Sequence, residues 1–238
     1  NLHHIYTVWE HNVRALKYTA EKNYSLVVRL AAFLHDVGKP ASKRGEGRNC
    51  TFYGHEVVGA RMTAHIMGRL KFPKELAEKV VLLVRYHLFY YNVGEVTESS
   101  VRRLLAKVGQ ENMDALLKVR EADRIGSGTP KAVPYKLRHL KYVVDKVSHD
   151  PISVKMLKIN GNDLMTTLGI APGPKLGLLL NSLLAEVLDD PSRNTKDYLA
   201  DRAKALAERS PEELRDALEK IERAQEAAEQ ERMKKYYV

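Results

Sequence analysis

Leu26 to Leu34 is a run of nine residues in which only Arg29 is polar, and it leads directly into His35-Asp36-Val37-Gly38-Lys39-Pro40. A segment apolar on nearly every side reads as a helix buried all round. Gly38 is expected to cap it and Pro40 cannot continue it, so the predicted helix covers 26–36. His35 and Asp36 then fall on the last turn of an element that is otherwise core. A carboxylate is expensive to bury unless something pairs with it. A metal ion is the partner that suits an imidazole and a carboxylate at once, and its charge would hold Asp36 ionised. Lys39, just past the cap, is placed to meet an anionic substrate at the same mouth. Alone, a His-Asp pair is more often polar core than a metal site. The rest of the chain has to decide between them.

That rest reads as helix. Trp9 to Leu16 repeats its apolar positions at helical spacing within a segment predicted over 5–22. Gly54-His55-Glu56-Val57-Val58-Gly59-Ala60 opens a helix reaching about Leu70, with Gly59 and Gly68 expected at close contacts with a neighbour. Pro73 starts another, through to His87, at the position proline favours. Further helices are predicted over 98–108, 111–124 and 134–148, and His149-Asp150-Pro151 marks a boundary. Beyond it the pattern is a short helix capped near Gly169, a rigid Pro172-Gly173-Pro174 turn and an amphipathic helix over 175–188. Pro211 to Tyr236 reads as one long helix, too polar for a core element. No segment sustains the period-two alternation of strands. The expected fold is all-α: a helical bundle over 1–150, a small helical domain over 151–210 and a charged helix over 211–238.

Composition bounds the function. Of the 238 residues, 44% are hydrophobic, enough for a real core. The net charge is +9, and residues 211–238 hold six Lys/Arg against eight Asp/Glu, so the whole excess lies upstream of the tail. Phosphate-bearing partners suit that charge, although solubility alone would also account for it. Cys50, the single cysteine, excludes an intrachain disulfide and fits a reducing cytoplasm. No apolar stretch reaches the ~18 residues of a membrane span, and no membrane partner or signal peptide is expected. The first residue is Asn rather than Met, which suggests a piece of a longer protein.

Four of the nine histidines fall on successive predicted helices: His11 on the first, His35 on the second, His55 opening the third and His87 ending the fourth. Asp36 and Asp123 add carboxylates. Taken singly, each reads as an ordinary core or surface group. Six such groups on five helices of one bundle are hard to ascribe to chance, since bundles build two-metal sites from inward-facing imidazoles and carboxylates. Without a usable thiolate the set favours an octahedral N/O ion such as Mn²⁺, Fe²⁺ or Ni²⁺, with Mg²⁺ possible on the carboxylate side. Asp36 is placed to bridge two ions, which would activate a water and clamp the oxygens of a phosphate under attack.

The order His11, His35-Asp36, His55, His87 and Asp123, with Gly38-Lys39 after the pair, resembles the HD-domain metal-dependent phosphohydrolases over residues 1 to about 150. That resemblance implies a helical bundle, a divalent metal centre on those six residues, and hydrolysis of phosphate esters with Asp36 and Lys39 in the reaction. The Gly-Tyr-Pro extension of the cyclic-di-GMP-hydrolysing branch is missing. His4-Ile5-Tyr6-Thr7-Val8-Trp9-Glu10-His11 and Tyr53 to Ala60 resemble the HD region of bacterial tRNA nucleotidyltransferases, the CCA-adding enzymes and their poly(A)-polymerase relatives. Gly161-Asn162-Asp163-Leu164, Leu168 to Gly177 and Asp190-Pro191-Ser192-Arg193-Asn194 resemble the tRNA-contacting region of the same proteins. This implies tRNA as a partner, with Lys155, Lys158, Lys175 and Arg193 as candidate contacts. The head domain that adds nucleotides, with its Gly-Ser turn and paired aspartates, has no counterpart here. The leading expectation is therefore a phosphohydrolase or phosphodiesterase acting on nucleotides or RNA ends, 2′,3′-cyclic phosphates among them. The alternatives are the tRNA-gripping portion of a CCA-adding enzyme, or an RNA-binding module with a vestigial site.

Overall fold

The computed structural model describes residues 6–46, 50–128 and 133–236. His4 and Ile5, quoted in the opening motif, lie outside them, as do residues 47–49. The described residues are all-α, and their only extended pairing is one antiparallel bridge between Arg44 and Thr51. The chain divides into two compact units, Asn1–Phe89 with Val108–His139, and Tyr90–Lys107 with Leu140–Val238.

The first unit contains α1 (Val8–Glu21), α2 (Leu26–Leu34), a short α3 (Lys39–Ser42), α4 (His55–Arg69) and α5 (Lys74–Tyr86). After α6 (Glu98–Val108), α7 (Gln110–Gly126) returns to the first unit, and α8 (Tyr135–Val147) follows. Local chemistry sets the starts. Thr7 accepts from the Glu10 amide while Glu10 accepts from the Thr7 amide, a reciprocal cap for α1. Ser25 does the same one-sidedly for α2. Helix α2 packs on α1, α5 and α7 and buries Val28, Ala31, Ala32 and Leu34, but it is not buried all round as its composition predicts, since Leu26 at its start is exposed. Ala15, Ala32 and Ala122 meet without exposure at the junction of α1, α2 and α7. Small side chains there let three helices close on one another.

Two expectations about glycines change. Gly38 is not the left-handed cap of a longer helix: α2 ends at Leu34, Gly38 has φ −78°, and Lys39-Pro40 begin α3. Its purpose is contact. A Cβ on Gly38 would lie 2.2 Å from the His55 carbonyl oxygen and 2.5 Å from the Gly59 amide nitrogen. Gly59 faces it, so the expectation of close packing holds there and fails at Gly68, which has open space around it.

The second unit holds α9 (Gly161–Leu168), α10 (Pro174–Asp189), α11 (Lys196–Ala207) and α12 (Pro211–Tyr236). Asn160 and Asp163 cap α9 reciprocally, and Gly169 ends it in the left-handed conformation, φ 64°, as predicted. Pro174 opens α10, which packs on α9, α11 and α12 around Leu164, Leu179, Leu183, Val187, Leu199 and Leu206. Helix α11 is not in the sequence reading. The start of α12 corrects another expectation, because Leu214 is fully buried in this aliphatic core. Buried Arg102 donates to the carbonyls of Leu188 and Asp189 and pairs with Asp150, closing the C-terminal end of α10.

Candidate metal centre

All six residues singled out for metal converge inside the first unit. Helix α1 carries His11, the turn after α2 carries His35 and Asp36, His55 is the first residue of α4, His87 follows the last residue of α5, and Asp123 lies near the end of α7. The four imidazoles and Asp36 are buried, Asp36 to 2% exposure, and the Asp123 side chain is 19% exposed.

Asp36 sits between two groups. Its Oδ2 faces His11 Nε2 at 3.3 Å and His35 Nε2 at 3.5 Å. Its Oδ1 faces His55 Nε2 at 3.3 Å and His87 Nε2 at 3.7 Å. Asp123 Oδ1 joins the first group, 3.4 Å from His11 Nε2 and 3.7 Å from His35 Nε2. Within each of the sets His11/His35/Asp36 and Asp36/His55/His87, ligand atoms lie within 4.8 Å of one another, so either set could hold a metal ion.

The ring tautomers strengthen the fit. His35 Nδ1 donates to the Ala32 carbonyl at 2.8 Å, His55 Nδ1 to Phe52 at 2.8 Å and His87 Nδ1 to Val84 at 2.7 Å. A carbonyl only accepts, so each Nδ1 carries the proton, and in the neutral ring the inward Nε2 is a lone pair. Yet His11 Nε2 and His35 Nε2 are 2.9 Å apart, and His55 Nε2 and His87 Nε2 3.3 Å apart. At His55 and His87 both are lone pairs, which cannot face one another so closely unless a proton or a cation lies between them. A neutral His11 with its proton on Nε2, by contrast, can donate to His35. Asp36 Oδ2 accepts no well-directed hydrogen bond, although Lys39 Nζ approaches to 2.6 Å as an ion-pair partner. The geometry suits a cation, and the donor set is the imidazole-carboxylate mixture that divalent first-row ions take.

The electrostatics agree. Burial alone would raise Asp36, but His35, His55, Lys39 and His87 hold it well below the usual carboxylate range. Asp123 is likewise held far down against its burial, by hydrogen bonds from His11 and His35 and by Arg120. Burial pushes His35 down, yet Asp36 and Asp123 outweigh it and raise its pKa. His87 goes the other way, driven well below the imidazole range by burial and by the charge of His35 and His55. Beside two carboxylates His35 is pushed toward its protonated form, and beside one His87 is pushed toward its neutral form.

Three neighbours escape sequence reasoning. Arg120, one helical turn before Asp123, donates to its Oδ2 at 2.8 Å. Gly126 makes room for His11, since a Cβ there would lie 2.8 Å from the His11 carbonyl oxygen and 3.0 Å from its Nδ1. The Ser127 hydroxyl is 3.5 Å from the same Nδ1. The available signal was the spacing i−3, i+3 and i+4 from Asp123, which puts all three on its face of α7.

The candidate RNA contacts lie in the second unit. Lys155 and Lys158 are exposed. Arg193 pairs with Asp190 and lies over the Tyr198 ring, while Lys175 donates to the Ala207 carbonyl at 2.7 Å. The Lys175 ammonium therefore caps the end of α11. Cys50 is a free thiol, and among the described residues no helix is long and apolar enough to cross a membrane.

Residues 3–128 match the HD domain family. The chain is 32% identical over 191 residues to the A-adding tRNA nucleotidyltransferase of Deinococcus radiodurans, covering 76% of this chain and 42% of that one. It is 32% identical over 187 residues to the CC-adding tRNA nucleotidyltransferase of Thermus thermophilus, covering 77% and 41%. A multifunctional CCA protein of Neisseria meningitidis is 30% identical over 132 residues, 54% of this chain and 31% of that one. The chain thus spans about two fifths of the length of the first two relatives.

Proposed function

The chain belongs to the HD domain family, and from that premise we propose that residues 1–150 form a metal-dependent phosphohydrolase or phosphodiesterase acting on nucleotides or RNA ends, with 2′,3′-cyclic phosphates the first substrates to try. One observation carries this reading: four buried imidazole nitrogens face the two oxygens of a single buried carboxylate, two to each.

His11, His35, Asp36 Oδ2 and Asp123 Oδ1 would hold one divalent ion, and Asp36 Oδ1, His55 and His87 a second, with Mn²⁺, Fe²⁺ or Ni²⁺ suited to the donors and Mg²⁺ a weaker fit. Such ions, when bound, lower the pKa of water and stabilise charge on phosphate oxygens. The protein's part is to aim and to shield. Backbone carbonyls hold three Nδ1 protons outward so that the Nε2 lone pairs point in, and burial keeps bulk water from competing. Lys39 cannot ligate while protonated. Its ammonium, 2.6 Å from Asp36 Oδ2, would orient a phosphate oxygen at the centre. Lys39→Ala should then raise KM or lower kcat with metal content unchanged, and loss of metal would refute that role.

The names of the relatives favour a second reading, in which the chain is the tRNA-gripping portion of a nucleotidyltransferase, or an RNA-binding module whose metal site is vestigial. In either case residues 151–210 would meet tRNA phosphates, with Lys155, Lys158 and Arg193 in reach, the 211–238 helix forming a separate polar element, and the cytoplasm the natural compartment. Binding through phosphates should weaken steeply with salt. The deciding experiment is a hydrolysis screen on 2′,3′-cyclic nucleotides with the Mn²⁺-loaded chain. Turnover abolished in Asp36→Ala supports the hydrolase. Bound metal with no turnover of any phosphate ester supports the second reading.

A further inference from the structure

We propose that Arg120 is the positioning residue that aims Asp123 at the metal centre, and that it does so from a seat on the ring of Phe89. The inference rests on the metal-centre reading above and goes beyond it to a residue outside the ligand set.

Asp123 has two oxygens and only one can serve the centre. Its Oδ1 faces His11 and His35, and its Oδ2 takes the Arg120 guanidinium at 2.8 Å. A carboxylate free to rotate would present either oxygen, or both, to an ion. One with Oδ2 fixed by a charge-assisted hydrogen bond presents a single oxygen in a single direction. The guanidinium is itself held, its central carbon 5.7 Å from the centroid of the buried Phe89 ring. A lysine, with a point charge and no guanidinium fork, cannot reproduce both contacts. Phe89 follows His87 by two residues, so the contact ties the segment bearing one half of the centre to the helix bearing Asp123. An Arg on the flank of a helix would ordinarily extend into water. Here the side chain is only 20% exposed and bonded one turn down its own helix to a metal-facing carboxylate.

The test is Mn²⁺ binding by the full chain, following free Mn²⁺ by electron paramagnetic resonance in wild type, Arg120→Met, Arg120→Lys and Phe89→Leu. Outer-shell partners of metal ligands are typically worth about 10–100-fold in affinity. Arg120→Met should therefore weaken one binding step by roughly that factor, Arg120→Lys by less, and the metal-free proteins should melt together. Phe89→Leu should weaken the same step, and its effect should vanish when combined with Arg120→Met, because the ring acts only through the guanidinium. Wild-type affinity in Arg120→Met would overturn the inference. So would equal weakening of every step together with a lower melting temperature of the metal-free protein, which marks a general structural role. A wild-type chain that binds no Mn²⁺ would overturn the metal centre itself, and this inference with it.

Discussion

The two units bury different things. The second is an aliphatic interior of Leu164, Leu179, Leu183, Val187, Leu199, Leu206 and Leu214, with Arg102 its one buried charged or polar side chain among the described residues. The first places His11, Asn12, Thr19, His35, Asp36, His55, Thr63, His87 and Glu121 out of solvent. Burying polar groups without partners destabilises a fold, so a unit that concentrates them does so for a reason other than stability. In the second unit each buried side chain is explained by apolar neighbours or, for Arg102, by the carbonyls and carboxylate that it meets. In the first, Asp36 and the four imidazoles turn their polar atoms toward one another, an arrangement that a shared cation would suit.

The largest effect should come from the close contact that shapes the first unit. Gly38→Ala puts a methyl 2.2 Å from one backbone atom and 2.5 Å from another, where no flexible side chain can yield. A loss of more than about 4 kcal/mol is expected, in the range reserved for severe core lesions. Urea denaturation measures it, and a change below about 1 kcal/mol would mean that the turn between α2 and α4 is far looser than described.

Leu183→Ala sharpens the contrast from the other side. It should lower stability by about 2–5 kcal/mol as a buried large-to-small change, while Mn²⁺ stoichiometry measured below the melting transition stays at the wild-type value. A parallel loss of metal would show that the centre depends on the second unit's core.

Much of this was legible from residue types and spacing. The helices up to α8, short α3 excepted, follow from apolar periodicity and from Pro73, and the six converging groups follow from their place on successive helices. Gly38 was misread because a cap is a local rule, whereas its true partner, Gly59, is distant in sequence. Helix α11 was overlooked although Leu199, Ala203 and Leu206 keep helical spacing, because the Asp190-Pro191-Ser192-Arg193-Asn194 turn dominates that stretch. Arg120 left only its i−3 spacing from Asp123, which cannot decide whether an arginine meets water or a carboxylate; tertiary packing decides that.

The charge state of the metal-free centre gives a finer test. His35 is raised above its ordinary value and His87 lies well below its own. The His35 contribution to stability is therefore full below the ordinary imidazole range and fades as pH rises through the raised value. His87 acts oppositely, since the unfolded chain binds a proton there that the folded chain refuses, and stability falls as pH drops below the ordinary value. In the chelated protein, imidazole NMR should show His35 still protonated at a pH where an ordinary histidine is neutral, and His87 still neutral where an ordinary one is charged. Both titrating near 6.5 would contradict the two-sided arrangement. Mn²⁺ uptake should release protons and tighten with pH.

The smallest effect should be at Gly68, which has open space around its Cα inside α4. Gly68→Ala should stabilise by about 0.5–1 kcal/mol through helix propensity alone, opposite in sign to Gly38→Ala. A destabilisation in thermal melting would point to an undetected contact.

The central claim is that the first unit's buried polar groups exist to hold metal. Metal analysis of wild type and Asp36→Ala, both stripped, reloaded with Mn²⁺ and desalted, tests it directly, with His55→Ala alongside. Two ions per wild-type chain, one in His55→Ala and none retained in Asp36→Ala is the predicted result, because Asp36 serves both halves. Equal Mn²⁺ in wild type and Asp36→Ala would make these six residues a polar core, and the hydrolase would fall with them.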